Sequence, residues 1–145
     1  MSARASITNA LVGVLKDIDG NGVYQTNIFN NVENKLRFWD ELNDFPHICV
    51  VPGSESREYL PGDFKWGYLN VSLKLYTKGE SPLEELEKLL EDVENVVDSN
   101  RVLLYDATNN SRTTEILVTS IVTDEGLLAP YGVGEINLQV RYQVL

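Results

Sequence analysis

The sequence of 145 residues predicts a single domain with an α+β fold. Apolar and polar residues alternate from Glu135 to Val144, and the same period of two recurs from Trp66 to Lys78, which indicates two half-buried strands. Between them, apolar residues recur at helical spacing from Leu83 to Val97. The turn-rich residues 124–132 join the last two predicted strands, which favours an antiparallel pair.

Two helices are predicted before residue 45. Residues 7–18 place apolar side chains at helical spacing after a capping serine, Ser2 or Ser6, and the glycines of residues 19–22 end this helix. A second helix is expected over residues 30–42, where Glu33 and Arg37 stand one turn apart.

The third predicted helix has the clearest start signal. Ser81 is expected to be the N-cap, with Pro82 at the first helical position and Glu84 completing a capping box. The buried stripe is predicted to consist of Leu83, Leu86, Leu90, Val93 and Val97. The remaining acidic side chains are expected to form a solvated face: Glu84, Glu85, Glu87, Glu91, Asp92 and Glu94.

Further strands are predicted at residues 47–51 and 114–124. Residues 102–105 form either a short strand or the end of the third helix. Residues 52–63, bracketed by two Pro-Gly pairs, form either a loose hairpin or a long excursion from the body.

The chain is acidic, with 12 basic and 22 acidic residues and a formal charge of −10. This charge repels phosphate backbones, so specific nucleic-acid binding is not expected, although acidity can equally serve only solubility. No apolar run approaches the roughly 20 residues of a membrane span. A single cysteine and the lack of a secretory apolar segment predict a cytoplasmic protein.

Residues suited to catalysis or metal binding are few, so we expect no enzyme and no cofactor. His47 and Cys49 fall on the same side of a predicted strand, but one histidine and one cysteine do not close a zinc site. Residues 17–22 match the first half of an EF-hand loop, yet its twelfth position is Ile28, which cannot supply the required carboxylate. A plain helix-ending turn is therefore preferred, and no catalytic, cofactor or metal residue is predicted.

Aromatic residues instead indicate contact with other chains. They gather near the predicted strand ends and the two Pro/Gly-rich segments, close to Arg57 and Lys65, a composition typical of interface cores. The group comprises Tyr59, Phe64, Trp66, Tyr68, Tyr76 and Tyr131. The alternative is that Trp66 and Tyr76 only cap the hydrophobic core.

The order of elements resembles the tail-terminator (tail-completion) proteins of long-tailed bacteriophages over nearly the whole chain. The segments that carry the resemblance are residues 41–46 before a strand, the Arg57 loop, the strand at 69–76, the acidic helix at 83–98 and the closing phrases at 123–126, 130–132 and 140–142. The resemblance implies a mixed, mostly antiparallel sheet of about four to five strands, with two to three helices on one face.

The same resemblance implies a virion structural protein without enzymatic activity. Such a protein forms a homohexameric ring that caps the tail tube, stops tube polymerisation and presents the head-attachment surface. Its partners would be further copies of itself, the tail tube protein and a head-completion or connector protein, with DNA passing through the ring. It would lie at the head-proximal end of the virion tail after assembly in the host cytoplasm.

The predicted interface rests on loop character and not on transferred positions. It comprises Arg57, Glu58, Tyr59, Asp63, Lys65, Leu127, Leu128 and Tyr131. Two alternatives remain at this stage: a head-completion or connector protein, and an acidic inhibitor or immunity protein that binds a basic partner.

Overall fold

The structure is a computed structural model that describes residues 2–145. Its centre is a five-stranded sheet in the order β1-β2-β3-β7-β6, and a separate ribbon pairs β4 with β5. The strands are β1 (Val32–Glu33), β2 (His47–Leu60), β3 (Phe64–Lys78), β4 (Leu104–Asp106), β5 (Ser111–Arg112), β6 (Glu115–Thr123) and β7 (Tyr131–Gln143). The helices are α1 (Ala3–Leu15) and α2 (Pro82–Ser99). Of the strands described, only β1 and β2 pair in parallel, which confirms the predicted α+β class with a mostly antiparallel sheet.

The two longest paired strands, β3 and β7, build the centre of the core as predicted. Leu73 pairs with Ile136 and Val71 with Leu138, and all four side chains are buried. These residues cluster with the buried faces of α1 and α2, so both helices cover the same side of the sheet. The opposite side is called the helix-free face below.

The helix ends are only partly as predicted. Ser2 caps α1, because its hydroxyl oxygen accepts a hydrogen bond from the Ala5 amide at 3.2 Å. Ser81 makes no side-chain cap bond at α2, so the predicted capping box is wrong. Leu83 is also partly exposed, whereas the rest of the predicted stripe is buried.

Asp92 contradicts the prediction of a fully solvated acidic face on α2. Its side chain is 0% exposed. One carboxylate oxygen accepts hydrogen bonds from the amide of Thr26 at 2.8 Å and from the Thr26 hydroxyl at 2.6 Å, and the amide of Gln25 donates to the same carboxylate at 3.0 Å. Asp92 therefore anchors the segment after α1 to α2.

The predicted helix over residues 30–42 is wrong. Phe29 and Asn30 have positive φ angles of 51° and 61°, which a helix start does not allow. The chain then forms β1, and only a short 3-10 helix follows at Trp39–Glu41. The Glu33–Arg37 ion pair does form, but without a helix between its members.

Residues 34–46 cross over part of the helix-free face. The Tyr76 hydroxyl donates a hydrogen bond to the carbonyl of Arg37 at 2.7 Å, and Cys49 beneath this crossing is 0% exposed. This segment is called the strap below. It buries residues of β2 and β3 that would otherwise face solvent.

Of the two alternatives for residues 52–63, the structure shows the hairpin and not the long excursion, and its strands are paired as far as Leu60 and Phe64. β2 continues to Leu60 through an irregularity after Pro52, and a tight turn at 61–63 leads into β3. Of the residues described, no helix is both long and apolar enough to span a membrane.

Candidate assembly surfaces

The β2–β3 hairpin projects five of the eight predicted interface residues. Arg57, Glu58 and Tyr59 lie on β2, Asp63 lies in the turn and Lys65 is the second residue of β3. Tyr59 is 74% exposed, and the Lys65 ammonium lies 5.2 Å from the centre of its ring. Residues 53–65 are called the arm below. The arm offers an aromatic and cationic surface to solvent.

The base of the arm is held by one buried carboxylate. The Glu55 side chain is only 6% exposed, and it pairs with Arg57 at 2.9 Å and with Arg4 of α1 at 3.6 Å. The Tyr142 hydroxyl also donates to Glu55. Two causes raise the pKa of Tyr142 to about 12: burial of the side chain, which is the larger, and this hydrogen bond to Glu55. Arg57 thus has a partner inside its own chain, which sequence reasoning could not reveal.

The other three predicted residues lie in or beside residues 124–132, called the link below. Leu127 is 86% exposed, whereas Leu128 is half-buried. Tyr131 packs against Trp39 and Phe45 of the strap, with ring centres 4.8 and 5.8 Å apart. The structure therefore places Tyr131 mainly in an intramolecular contact, and Leu127 is the free apolar group.

The arm and the link lie at opposite ends of the sheet. Tyr131 is paired with Lys78 at the end of β3, and the arm turn precedes Phe64 at its start. A strand of 15 residues extends about 45–50 Å. The structure does not bring the two predicted groups together; it defines two separate surfaces.

Two sheet edges are open over at least part of their length. β6 forms one edge, with Leu117, Ile121 and Val122 each at least 40% exposed. On the other side, β1 pairs with Ile48 and Cys49 of β2, and no strand of residues 2–145 pairs with the outer edge of the arm portion of β2. Open edges carry unpaired backbone groups that invite pairing with another chain. The sequence predicted this strand at residues 114–124, but the predicted interface did not include any of its residues.

A groove between α2 and β6 adds charge to this edge. It has a volume of about 460 Å³ and is lined mainly by glutamates. The lining residues are Glu84, Glu87, Lys88, Leu90, Glu91, Glu94 and Ile121. An apolar side chain, Ile121, at an acidic wall suits a partner that carries apolar and basic groups.

The helix-free face beyond the strap is polar. Ser72 donates to Asn137 at 2.9 Å, and the Asn137 amide donates to Ser120 at 2.9 Å, so one hydrogen-bonded row crosses three strands. Arg141 stacks on Trp66, 4.1 Å from the ring centre. Much of this face is hydrogen-bonded within the chain, but the buried Nε of Arg141 has no hydrogen-bond partner among the described residues.

Among the described residues, one cluster of side chains could hold a metal ion. Glu33, His47 and Cys49 offer donor atoms that all lie within 4.8 Å of one another beneath the strap. His47 Nε2 is 3.0 Å from a carboxylate oxygen of Glu33, which also pairs with Arg37. Burial raises the pKa of the Cys49 thiol.

Open sheet edges, a projecting arm and an exposed link define a structural protein that acts through contact with other chains. Comparison with known proteins is consistent with this class. The chain matches the family described as Bacteriophage Tail Tube Terminator Protein over residues 1–145, and it belongs to that family. The family is structural, so the predictions of a tail-terminator relative and of a protein without enzymatic activity are confirmed.

Similarity to individual proteins agrees with the family. The chain is 38% identical over 153 aligned positions to the tail tube terminator protein p142 of Escherichia phage T5, covering 99% of this chain and 95% of that protein. Among solved structures, it superposes on a chain in the virion of a native gene transfer agent particle with a TM-score of 0.60 and 11% identity. That match covers 99% of this chain and 96% of the other, and it supports the fold alone. The protein is a tail-terminating component of the virion tail.

Proposed function

We propose that copies of this chain close into a ring at the head-proximal end of the tail tube, where the ring stops tube polymerisation and provides the surface to which the head attaches. The ring has six members, the number that the resemblance to tail terminators implies. The observation that carries this proposal is the presence of two different open edges on one sheet.

The two edges suit a head-to-tail contact. A ring needs a heterologous interface, in which one patch of each subunit meets a different patch of the next. The β6 edge carries Leu117, Ile121 and Val122, and the arm edge of β2 carries Tyr59 and Leu60, which is 40% exposed. Pairing β6 of one copy with the arm of the next satisfies both edges and covers these apolar groups.

The two ends of the sheet then face different neighbours. The link end presents Leu127, and the arm turn presents Asp63 and Lys65 about 45–50 Å away. In the proposed ring, each sheet extends from one face of the ring to the other. One end of the sheet then meets the tube protein, and the opposite end meets the head-completion or connector protein. Within the link, Leu128 is half-buried and Tyr131 packs against the strap, so these two residues hold the link in place at that end of the sheet.

The charge of the chain fits the passage of DNA. A formal charge of −10 per subunit repels phosphate groups, so a strand passing through the ring is not retained. The lining of the lumen needs no specific contact with the nucleic acid.

Assembly of the tube in vitro tests the proposal. Tube protein is polymerised with and without this chain, and tube lengths and ends are imaged by electron microscopy. We expect short tubes with a ring at one end, and recruitment of the connector protein to capped tubes only. Tubes of unchanged length without terminal density would overturn the proposal.

A further inference from the structure

We propose that Glu33, His47 and Cys49 form a binding site for a divalent transition metal, with zinc as the preferred ion. The site lies beneath the strap, at the end of the sheet opposite the arm, and Tyr131 of the link packs against the same strap. It is independent of the ring proposal, and the two can fail separately.

The fold assembles this site from two strands. Parallel pairing places Glu33 of β1 opposite Cys49 of β2, and His47 lies two residues before Cys49 on the same side of β2. The sequence shows only the histidine and the cysteine close together. The third donor is in place because Glu33 lies in the short strand β1 and not in the helix predicted for residues 30–42.

The separations of the donor atoms lie on both sides of those that a tetrahedral ion requires, so the His47–Glu33 pair must move slightly apart, and any pair near the upper limit must move closer. Bonds of about 2.0 to 2.3 Å in tetrahedral geometry separate ligand atoms by roughly 3.3 to 3.8 Å. The three donor atoms already lie within 4.8 Å of one another, and His47 Nε2 and the Glu33 oxygen are 3.0 Å apart. Side-chain rotation alone can supply the remaining adjustment.

The donor set selects the metal. A thiolate and an imidazole favour zinc over magnesium or calcium, which prefer oxygen ligands. Three protein ligands leave one position for water, and a solvent cavity of about 250 Å³ opens directly on Glu33 and His47. On binding, the Cys49 proton leaves to solvent, and the thiolate and the Glu33 carboxylate neutralise the two charges of the ion.

Arg37 has two opposite effects on the site. Its backbone amide hydrogen-bonds to the Cys49 thiol, a contact that supports a thiolate ligand. Its guanidinium instead pairs with the Glu33 oxygen that His47 also contacts, and so competes with a metal ion for this carboxylate. Removing only the guanidinium should therefore tighten metal binding.

Cobalt titration of the full chain tests the site, because Cys49 is the only cysteine and any thiolate-to-cobalt absorption band reports on it alone. We expect one equivalent of Co²⁺ to produce this band, Zn²⁺ to displace it, and Zn²⁺ to raise the unfolding temperature. Cys49→Ser should abolish the band. Glu33→Gln and His47→Gln should each weaken affinity at least about tenfold, since loss even of an outer contact costs this much.

Arg37→Gln and Glu41→Gln complete the design. Arg37→Gln should tighten Co²⁺ binding, whereas Glu41→Gln, a matched change at the same cavity, should leave it unchanged. Circular dichroism of each variant establishes that it is folded, and Glu33→Gln and His47→Gln serve if Cys49→Ser does not fold. Absence of the band in the wild-type chain would overturn the proposal, as would a Co²⁺ affinity of Glu33→Gln equal to that of the wild type. Glu33, His47 and Cys49 would then be only a cluster of neighbouring polar side chains without a metal-binding role.

Discussion

Asp92 accepts two hydrogen bonds from Thr26, one from its amide at 2.8 Å and one from its hydroxyl at 2.6 Å, across 66 positions of sequence. The free-energy cost of burying the Asp92 carboxylate is offset by the hydrogen bonds that it accepts. In the same way, the carboxylate offsets the cost of burying the polar groups of Thr26. This contact therefore fixes the path of the chain between α1 and β1.

Replacing Asp92 tests that contact. Asp92→Ala leaves the buried amide and hydroxyl of Thr26, and the part-buried amide of Gln25, without their acceptor, so we expect a loss of about 3 kcal/mol in the free energy of unfolding. Urea denaturation measures it. Glu91→Gln, an exposed carboxylate on the same helix, is the control and should change stability by less than about 0.5 kcal/mol. Equal effects of the two changes would contradict the anchoring role.

The raised pKa of Tyr142 leads us to expect that the fold loses stability at alkaline pH. Its pKa rises from 10.0 in the unfolded chain to about 12 in the fold, so the unfolded state releases its proton first as the pH increases. The contribution is fully present below pH 10.0 and is lost as the pH rises toward about 12. Tyr76, whose pKa burial also raises to about 12, adds to the effect.

Tyr142→Phe provides the comparison. Denaturation over this pH range should show a shallower decline in the variant than in the wild type. A decline of unchanged slope would mean that other groups carry the alkaline transition.

Gly132 predicts a severe packing defect. A Cβ atom at this position would lie 2.6 Å from the carbonyl oxygen of Pro82, which is backbone and cannot easily move. Gly132→Ala should therefore cost about 2–3 kcal/mol. Gly13 in α1 is the matched control: a Cβ there meets nothing within 4 Å, so Gly13→Ala should stabilise the protein by about 0.5–1 kcal/mol. Thermal unfolding of both variants tests this opposite response.

The link residues should separate stability from assembly. Tyr131→Ala removes the aromatic contacts of this side chain with Trp39 and Phe45, so it should lower the stability of the fold as well as tail joining. Leu127→Ser changes an 86% exposed side chain, so it should leave the unfolding temperature unchanged and reduce only the capping of tubes. Normal capping by Leu127→Ser would remove the link from the assembly surface.

The arm should respond in a different way. Arg57→Glu places a second carboxylate beside buried Glu55, so we expect weaker ring formation together with a loosened arm base. Light scattering of the purified variant, with and without tubes, measures the ring. Unimpaired ring formation would show that the arm does not contribute to the subunit contact.

Strands with strict alternation could be predicted from the sequence, because β3 and β7 each bury one face and pair at the centre of the sheet. The helix at 30–42 could not be excluded, since its Glu33–Arg37 spacing is real but the positive φ of Asn30 and the pairing of Val32 with Ile48 depend on the rest of the fold. The spacing of neighbouring residues does not show that pairing with a distant strand is more favourable than a local helix.

The candidate surfaces were only partly predictable. Exposed Tyr59 and Leu127 follow from loop composition, but the partner of Arg57 is a glutamate that only the hairpin register brings near. Asp92 did carry a signal, because it lies at helical spacing within the stripe of Leu89 and Val96.

Disulfide trapping measures the head-to-tail contact most directly. Ser120→Cys on β6 is combined with Ser54→Cys or Ser56→Cys on the arm, so that two registers are sampled; all three serines are exposed, and the native Cys49 is buried. We expect oxidised assemblies of at least one double variant to give covalent oligomers up to a closed ring, whereas each single variant gives dimers at most. Rings seen by electron microscopy that yield no covalent oligomer from either pair would contradict the account.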